Sequence, residues 1–149
     1  MNHISKYSVV TLLISFMMLA GLANSAVAAD NGAKHKLVIQ VSTDDARTQK
    51  IALNNAVNLQ KLHGMDNVTI EIVAYGPGLG LLTTKSKETD RVKSLAMQNI
   101  TFSACGNTMA KMEKKSGKKP QLTEGVGTVT AGVARIMELQ ENGYSYLRP

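Results

Sequence analysis

The chain has a single cysteine, and it lies in the stretch Thr101-Phe102-Ser103-Ala104-Cys105-Gly106-Asn107-Thr108-Met109. β-favouring residues run into the thiol, and a helix-like continuation leaves it. A thiol at the seam between a strand and a helix can act as a nucleophile in its thiolate form. The unpaired N–H groups of a starting helix and the positive end of its dipole favour an anion there. In a partly buried site that effect contributes up to ~2 kcal/mol. One pKa unit corresponds to about 1.4 kcal/mol, so a thiol with an ordinary pKa of about 8.5 could fall to about 7. Gly106 adds an N–H with no side chain in the way, and Asn107 or Thr108 could cap the helix or bond a bound group. The alternative chemistry is none. Free cysteine behaves as a small hydrophobe, and one packed beneath a helix is inert. Both readings stand at this point.

The other reactive residue types narrow the field. A cysteine–histidine pair is the arrangement to test for nucleophilic catalysis. Of three histidines, His3 lies in the leader described below, His35 precedes the first predicted strand and His63 ends the first predicted helix. His35 and His63 therefore belong to the amino edge of the sheet, away from Cys105. That disfavours a protease-like mechanism and leaves no metal cluster. No second cysteine is present to resolve a disulfide, which disfavours a small thiol redox protein. The glycine-rich stretch Tyr75-Gly76-Pro77-Gly78-Leu79-Gly80-Leu81-Leu82 has the wrong spacing for a dinucleotide fingerprint and follows the second strand, not the first. It also lacks the lysine of a phosphate loop. It reads as a tight turn that needs glycine torsions, or as a wall of the thiol pocket. Lys111, Lys114, Lys115, Lys118 and Lys119 gather near a helix end, where cations suit the dipole. A solvated face is the expected role, with docking of an acidic partner as the rival. The methionines after the leader read as core filler.

These residues must be positioned by a small domain. Val9 to Ala23 is an almost unbroken apolar run behind Lys6, and Ala26-Val27-Ala28 fits a small-x-small cleavage site. Residues 1–28 thus read as a secretory signal peptide, with a domain over 29–149. The expected location is periplasmic or secreted. Of 17 basic residues, removal of Lys6 leaves 16 against 11 acidic, a net +5. Nucleic acid is a poor match for so few aromatic residues and an exported chain. No later segment is apolar and long enough to span a bilayer, so no stable membrane insertion is expected after cleavage.

Strands are predicted over Lys36–Val41, Val68–Ala74, Ile100–Ala104, Val126–Val129 and Tyr144–Leu147. Helices are predicted over Ala46–His63, Ser86–Met97, Asn107–Lys115 and Ala131–Asn142. In the first, one apolar row holds Ala52, Ala56 and Leu59, and another holds Ile51, Val57 and Leu62. In the last, Val133, Ile136, Met137 and Gln140 share one side. Strand–helix alternation predicts an α/β fold with a mostly parallel five-stranded sheet and helices on both faces. Strand order is not readable from this pattern. Ligands gather at the carboxyl ends of strands in such sheets. The loops at that rim supply the candidate binding residues: Ser42, Thr43 and Asp44; Tyr75, Gly76 and Gly78; Gly106, Asn107 and Thr108 beside Cys105; and Gly132.

With those residues in view, the chain resembles the DsrE/DsrF-like family of sulfur-relay proteins over about Lys36 to Pro149. The resemblance is carried by Ser-Thr-Asp-Asp after the first strand, YGPGLGLL after the second, FSACGNTM around Cys105, and the ending AGVARIMELQENGYSYLRP. It implies a three-layer α/β/α domain, a homo-oligomer of trimer or hexamer type, and a Cys105 that carries sulfur as a persulfide between a donor and an acceptor thiol. It implies no cofactor, no metal and no histidine base. The relay members act in the cytoplasm beside dedicated partners, whereas this chain reads as exported. The fold is expected to carry over; the partners are not. A non-catalytic oligomeric module that binds a small anion, with Cys105 as packing, is the second function consistent with these residues.

Overall fold

The two most β-branched runs of the chain form the middle of the sheet. In the computed structural model, which describes residues 35–149, β1 (His35–Val41) pairs in parallel with β2 (Val68–Ala74), from His35 opposite Val68 to Val41 opposite Ala74. The predicted signal peptide over residues 1–28 lies outside the described residues. Between the two strands runs α1 (Ala46–His63), begun by the Asp45 carboxylate accepting from the Thr48 N–H at 2.7 Å and ended at Gly64, whose φ is +83°. β2 pairs next with β3 (Ile100–Cys105), β3 with β4 (Val126–Val129), and β5 (Ser145–Leu147) returns to the free side of β1. The sheet order is β4-β3-β2-β1-β5, and every pairing is parallel. A 3-10 helix (Gly76–Leu82) and α2 (Thr89–Ala96) connect β2 to β3, α3 (Gly106–Ser116) connects β3 to β4, and α4 (Gly132–Glu141) connects β4 to β5.

That order fixes the layers. Parallel crossovers are right-handed. Three successive crossovers, β1 to β2 to β3 to β4, move across the sheet in one direction and lay α1, α2 and α3 on one face. The return from β4 to β5 runs the opposite way and places α4 on the other face. The buried clusters agree. Ile39, Ile70, Ile72, Phe102 and Ala104 face Leu53, Leu79, Val92 and Met109, whereas Val38 and Val73 face Ile136 and Leu139. The fold is therefore three-layer α/β/α, with the larger core under α1 to α3. Each fully buried Leu, Ile or Phe there contributes roughly 1.5–3 kcal/mol.

Several sequence expectations need correction. The glycine-rich stretch after Tyr75 is a 3-10 helix and not simply a turn. Gly78, Leu79, Leu81 and Leu82 are buried in it, because it fills the space beside α2 above β2 and β3. α2 begins at Thr89 and not Ser86: the Thr89 hydroxyl donates to the Ser86 carbonyl (2.7 Å), and the Ser86 hydroxyl accepts from the Glu88 N–H (3.1 Å). These side chains offer the backbone a local turn in place of helix. On α1 the Ala52/Ala56 row is buried together with Leu53, but Ile51 and Leu62 are exposed, because the helix approaches the sheet on its narrow small-residue side. α4 is rotated relative to expectation. Ile136 and Leu139 point inward, while Val133 (68% exposed), Met137 (59% exposed) and Gln140 face outward. Arg135 shares the sheet-facing side with Ile136 and Leu139 and bonds Glu71 on β2. Of the methionines, Met109 is buried, and Met65, Met97, Met112 and Met137 are exposed, so the core-filler reading holds for one of them.

Candidate functional site

The exits of β3 and β4 diverge. The chain leaves β3 toward the face that carries α1 to α3, and leaves the neighbouring β4 toward the face that carries α4. Adjacent strands whose connections part to opposite faces open a crevice at their carboxyl ends, the usual ligand position of an open α/β sheet. Cys105 is the last residue of β3, opposite Val129 of β4. It is also the N-cap of α3, with φ −72° and ψ 115°. Side chains alternate along a strand. Phe102 and Ala104 belong to the larger core, so Cys105 projects toward the α4 face.

The crevice is narrow. The Asn107 N–H donates to the Thr130 carbonyl at 3.1 Å, tying the two exits together. A Cβ on Gly106 would lie 3.1 Å from the Val129 carbonyl oxygen and 3.3 Å from that of Thr130, so only glycine fits without displacement. Gly132 closes the site from the other side. A Cβ there would stand 3.0 Å from Tyr75 Cδ1 and 3.3 Å from Cys105 Cβ. In consequence Cys105 is 5% exposed.

Burial alone pushes a thiol pKa up. Here it is opposed by the polar groups around the sulfur, first the Thr108 hydroxyl and then the main-chain N–H groups of Gly132, Thr108 and Asn107, and the balance lies below the ordinary thiol value. The Thr108 hydroxyl has a second duty: its oxygen accepts from the Gly76 N–H at 3.0 Å. One hydroxyl thus ties the loop after β2 to the first turn of α3, beside the thiol.

Of the candidates named from sequence, Gly106, Asn107, Thr108, Gly132, Tyr75 and Gly76 surround Cys105 directly or through one bond. Gly78 acts one step removed. Its Cβ would sit 2.2 Å from the Val41 carbonyl oxygen, so its bareness lets the 3-10 helix lie against the end of β1. Ser42, Thr43 and Asp44 are not brought to the thiol. They follow β1, two strands from β3, and serve locally: the Ser42 hydroxyl accepts from Gln40 Nε2 (3.3 Å), the Thr43 hydroxyl from the Asp45 N–H (3.2 Å), and Asp44 is exposed. His35 and His63 do lie at the amino edge, their rings 3.9 Å apart. The lysines of the cluster are exposed. Lys111 and Lys115 border a groove of about 350 Å³ that also includes Gly76, Pro77, Gly80, Thr108 and Met112. On the opposite side of the crevice a groove of about 520 Å³ is formed by Thr128, Val129, Thr130, Ala131, Ala134, Arg135 and Glu138.

One cluster was missed by the sequence reading. Glu71, in the middle of β2, is 3% exposed. Its Oε1 accepts from the Ser103 hydroxyl (2.6 Å) and from Arg135 Nε (2.9 Å), and its Oε2 accepts from Arg135 Nη2 (2.8 Å). Arg135 Nη1 lies 2.9 Å from Glu138 Oε2. The paired carboxylates raise the Arg135 pKa further. Tyr144 is shifted up by burial and by the charge of Glu71, against the opposing effect of Arg135. An acid inside the apolar run Val68–Ala74 was a legible signal, because a buried charge requires a partner.

No protein-family model matches the chain. No curated protein matches it either. Among solved structures, MTH1491, a protein of unknown function from Methanobacterium thermoautotrophicum, is similar with a TM-score of 0.69 and 31% sequence identity, across 77% of this chain and 99% of that one. Identity at that level over nearly the whole of the other protein, on the same three-layer architecture, means that this chain belongs to the family of MTH1491.

Proposed function

We propose that this chain is a sulfur carrier that holds a sulfane sulfur on Cys105 as a persulfide and passes it to an acceptor thiol. The observation that carries this reading is the seat of one buried sulfur at the crevice between β3 and β4, at the N-cap of α3 and against Gly132 at the start of α4. Donors already in place stabilise an anion without reorganisation when it forms. Loading follows thiolate exchange: the Cys105 thiolate attacks the outer sulfur of a donor persulfide R–S–S⁻, a new S–S bond forms, the donor's own S–S bond breaks, and R–S⁻ departs with the electron pair. Unloading is the reverse reaction with an acceptor thiolate. No net oxidation occurs, and no histidine base or metal is required. The DsrE/DsrF-like resemblance around Cys105 and at the carboxyl terminus supports the same chemistry and a homo-oligomeric trimer or hexamer. The leader read over residues 1–28 assigns it to the periplasm or the exterior.

The test is to treat the purified protein with polysulfide or thiosulfate and weigh it intact, beside Cys105→Ser. The expected result is a gain of one or more sulfur atoms in the wild type alone, reversed by a thiol. Wild-type protein that gains no sulfur while its Cys105 stays unalkylated until denatured sinks the carrier. The low exposure of Cys105 favours a second reading, in which the cysteine is packing and the rim binds a small anion. In that case Cys105→Ser lowers stability and leaves anion binding intact.

A further inference from the structure

α4 delivers Gly132 to the thiol, yet it holds the sheet by few apolar contacts. Ile136 and Leu139 are its buried hydrophobic side chains, and the Val133/Met137 stripe is turned outward. Arg135, three residues after Gly132, supplies what the apolar side does not. Its guanidinium enters the sheet face and bonds both oxygens of the buried Glu71 carboxylate, at 2.9 and 2.8 Å. The same carboxylate accepts from Ser103, two residues before Cys105 on β3. The cluster therefore joins β2, the thiol's own strand and the helix that covers the thiol. A two-bond fork fixes rotation as well as distance, which a single point contact does not. It also explains why Val133 and Met137 face out: turning them in would withdraw Arg135 from Glu71.

We propose that Arg135 is a positioning residue for Cys105: by gripping Glu71 it sets where α4 begins on the sheet, and so how closely Gly132 packs against Cys105. The proposal rests on the thiol reading above and extends it by naming the group that keeps the N-terminus of α4 against Cys105. The charged and titratable groups facing Arg135 are Glu71 on β2, Glu138 on its own helix, and Tyr144 just beyond that helix. Ser103 on β3 is uncharged. With two carboxylates against one guanidinium, the positive charge is locally compensated, and Arg135 acts on the sulfur through placement.

The experiment is the pH dependence of Cys105 alkylation by iodoacetamide in the folded protein. It reads two quantities: the midpoint, which reports thiolate stabilisation, and the plateau rate, which reports access. Arg135→Met is expected to raise the midpoint by roughly 0.5–1 pH unit, the equivalent of losing one neutral hydrogen bond to the thiolate. Arg135→Lys, which keeps the charge with a single donor head, is expected to recover part of that shift. If Arg135→Met does not fold, the double variant Glu71→Met/Arg135→Met removes both charges together and carries the test, with the same upward shift expected. A merely structural role would alter denaturation midpoints and the plateau rate but not the alkylation midpoint. Midpoints unchanged from wild type in these variants, with a reactive wild-type thiol, overturn the role of Arg135 alone. A wild-type thiol inert until denatured removes the carrier reading and this one together.

Discussion

At Cys105 two opposing effects act on one sulfur. Burial disfavours the thiolate, and the neighbouring Thr108 hydroxyl and main-chain N–H groups favour it by more. A folded-state pKa below the unfolded value stabilises the fold where the thiolate exists. That contribution is complete above pH 9 or so and is lost as pH falls through the folded pKa. The stability difference between wild type and Cys105→Ser should therefore widen in favour of wild type as pH rises from neutral toward 9, in urea melts at a series of pH values. Thr108 is the most informative neighbour, because its hydroxyl takes the Gly76 N–H and is the foremost group that favours the thiolate. Thr108→Val keeps the shape and removes the hydroxyl. It should raise the alkylation midpoint of Cys105 by roughly 0.5–1 unit and destabilise the protein by about 1–3 kcal/mol, since the Gly76 N–H is left unsatisfied. Thr108→Ser should restore both measurements.

At the scale of elements, α4 and the 3-10 helix hold the site in different ways. The 3-10 helix is seated by backbone approach: at Gly78 an added Cβ would meet the Val41 carbonyl oxygen at 2.2 Å, and backbone cannot step aside. Gly78→Ala should cost about 4 kcal/mol or more, seen as loss of soluble folded protein or a large drop in the urea midpoint. α4 is seated by two apolar side chains and one ion pair. Ile136→Ala should cost about 2–5 kcal/mol, whereas Val133→Ser, on the outward side, should change stability by no more than about 0.5 kcal/mol. The reverse order in urea titrations would mean that α4 sits on the sheet in the rotation its apolar spacing first suggests. That spacing is ambiguous for a physical reason. Val133, Ile136, Met137 and Leu139 span more of the helix than a thin core can bury, and the choice among them falls to Arg135 and Glu71, 64 residues apart in the chain.

At the scale of the whole molecule, protection should follow the sheet order. β2 lies at the centre, flanked by β1 and β3, and β5 is a three-residue strand at the edge. Amide exchange should be slowest in β1, β2 and β3 and much faster in β5. Equal protection of β5 and β2 would contradict this placement. The elements themselves were largely readable. Val68–Ala74, Val126–Val129 and Ala46–His63 appear with the bounds their residue patterns suggest, because β-branched runs, caps and stop glycines act within a few residues of one another. The strand-to-helix seam at Cys105 was legible on the same grounds, as was the separation of His35 and His63 from it. Local sequence thus determined that this protein alternates strands and helices and carries its thiol at a strand's carboxyl end. Only the tertiary structure decided the strand order, and with it that β3 and β4 are neighbours whose exits part to opposite faces. Only the folded molecule could bring Gly132 between Tyr75 and Cys105, reduce the exposure of the cysteine to a few per cent, and reveal that a buried carboxylate on β2 grips the covering helix. Those outcomes depend on pairings between distant parts of the chain, which no window of neighbouring residues contains.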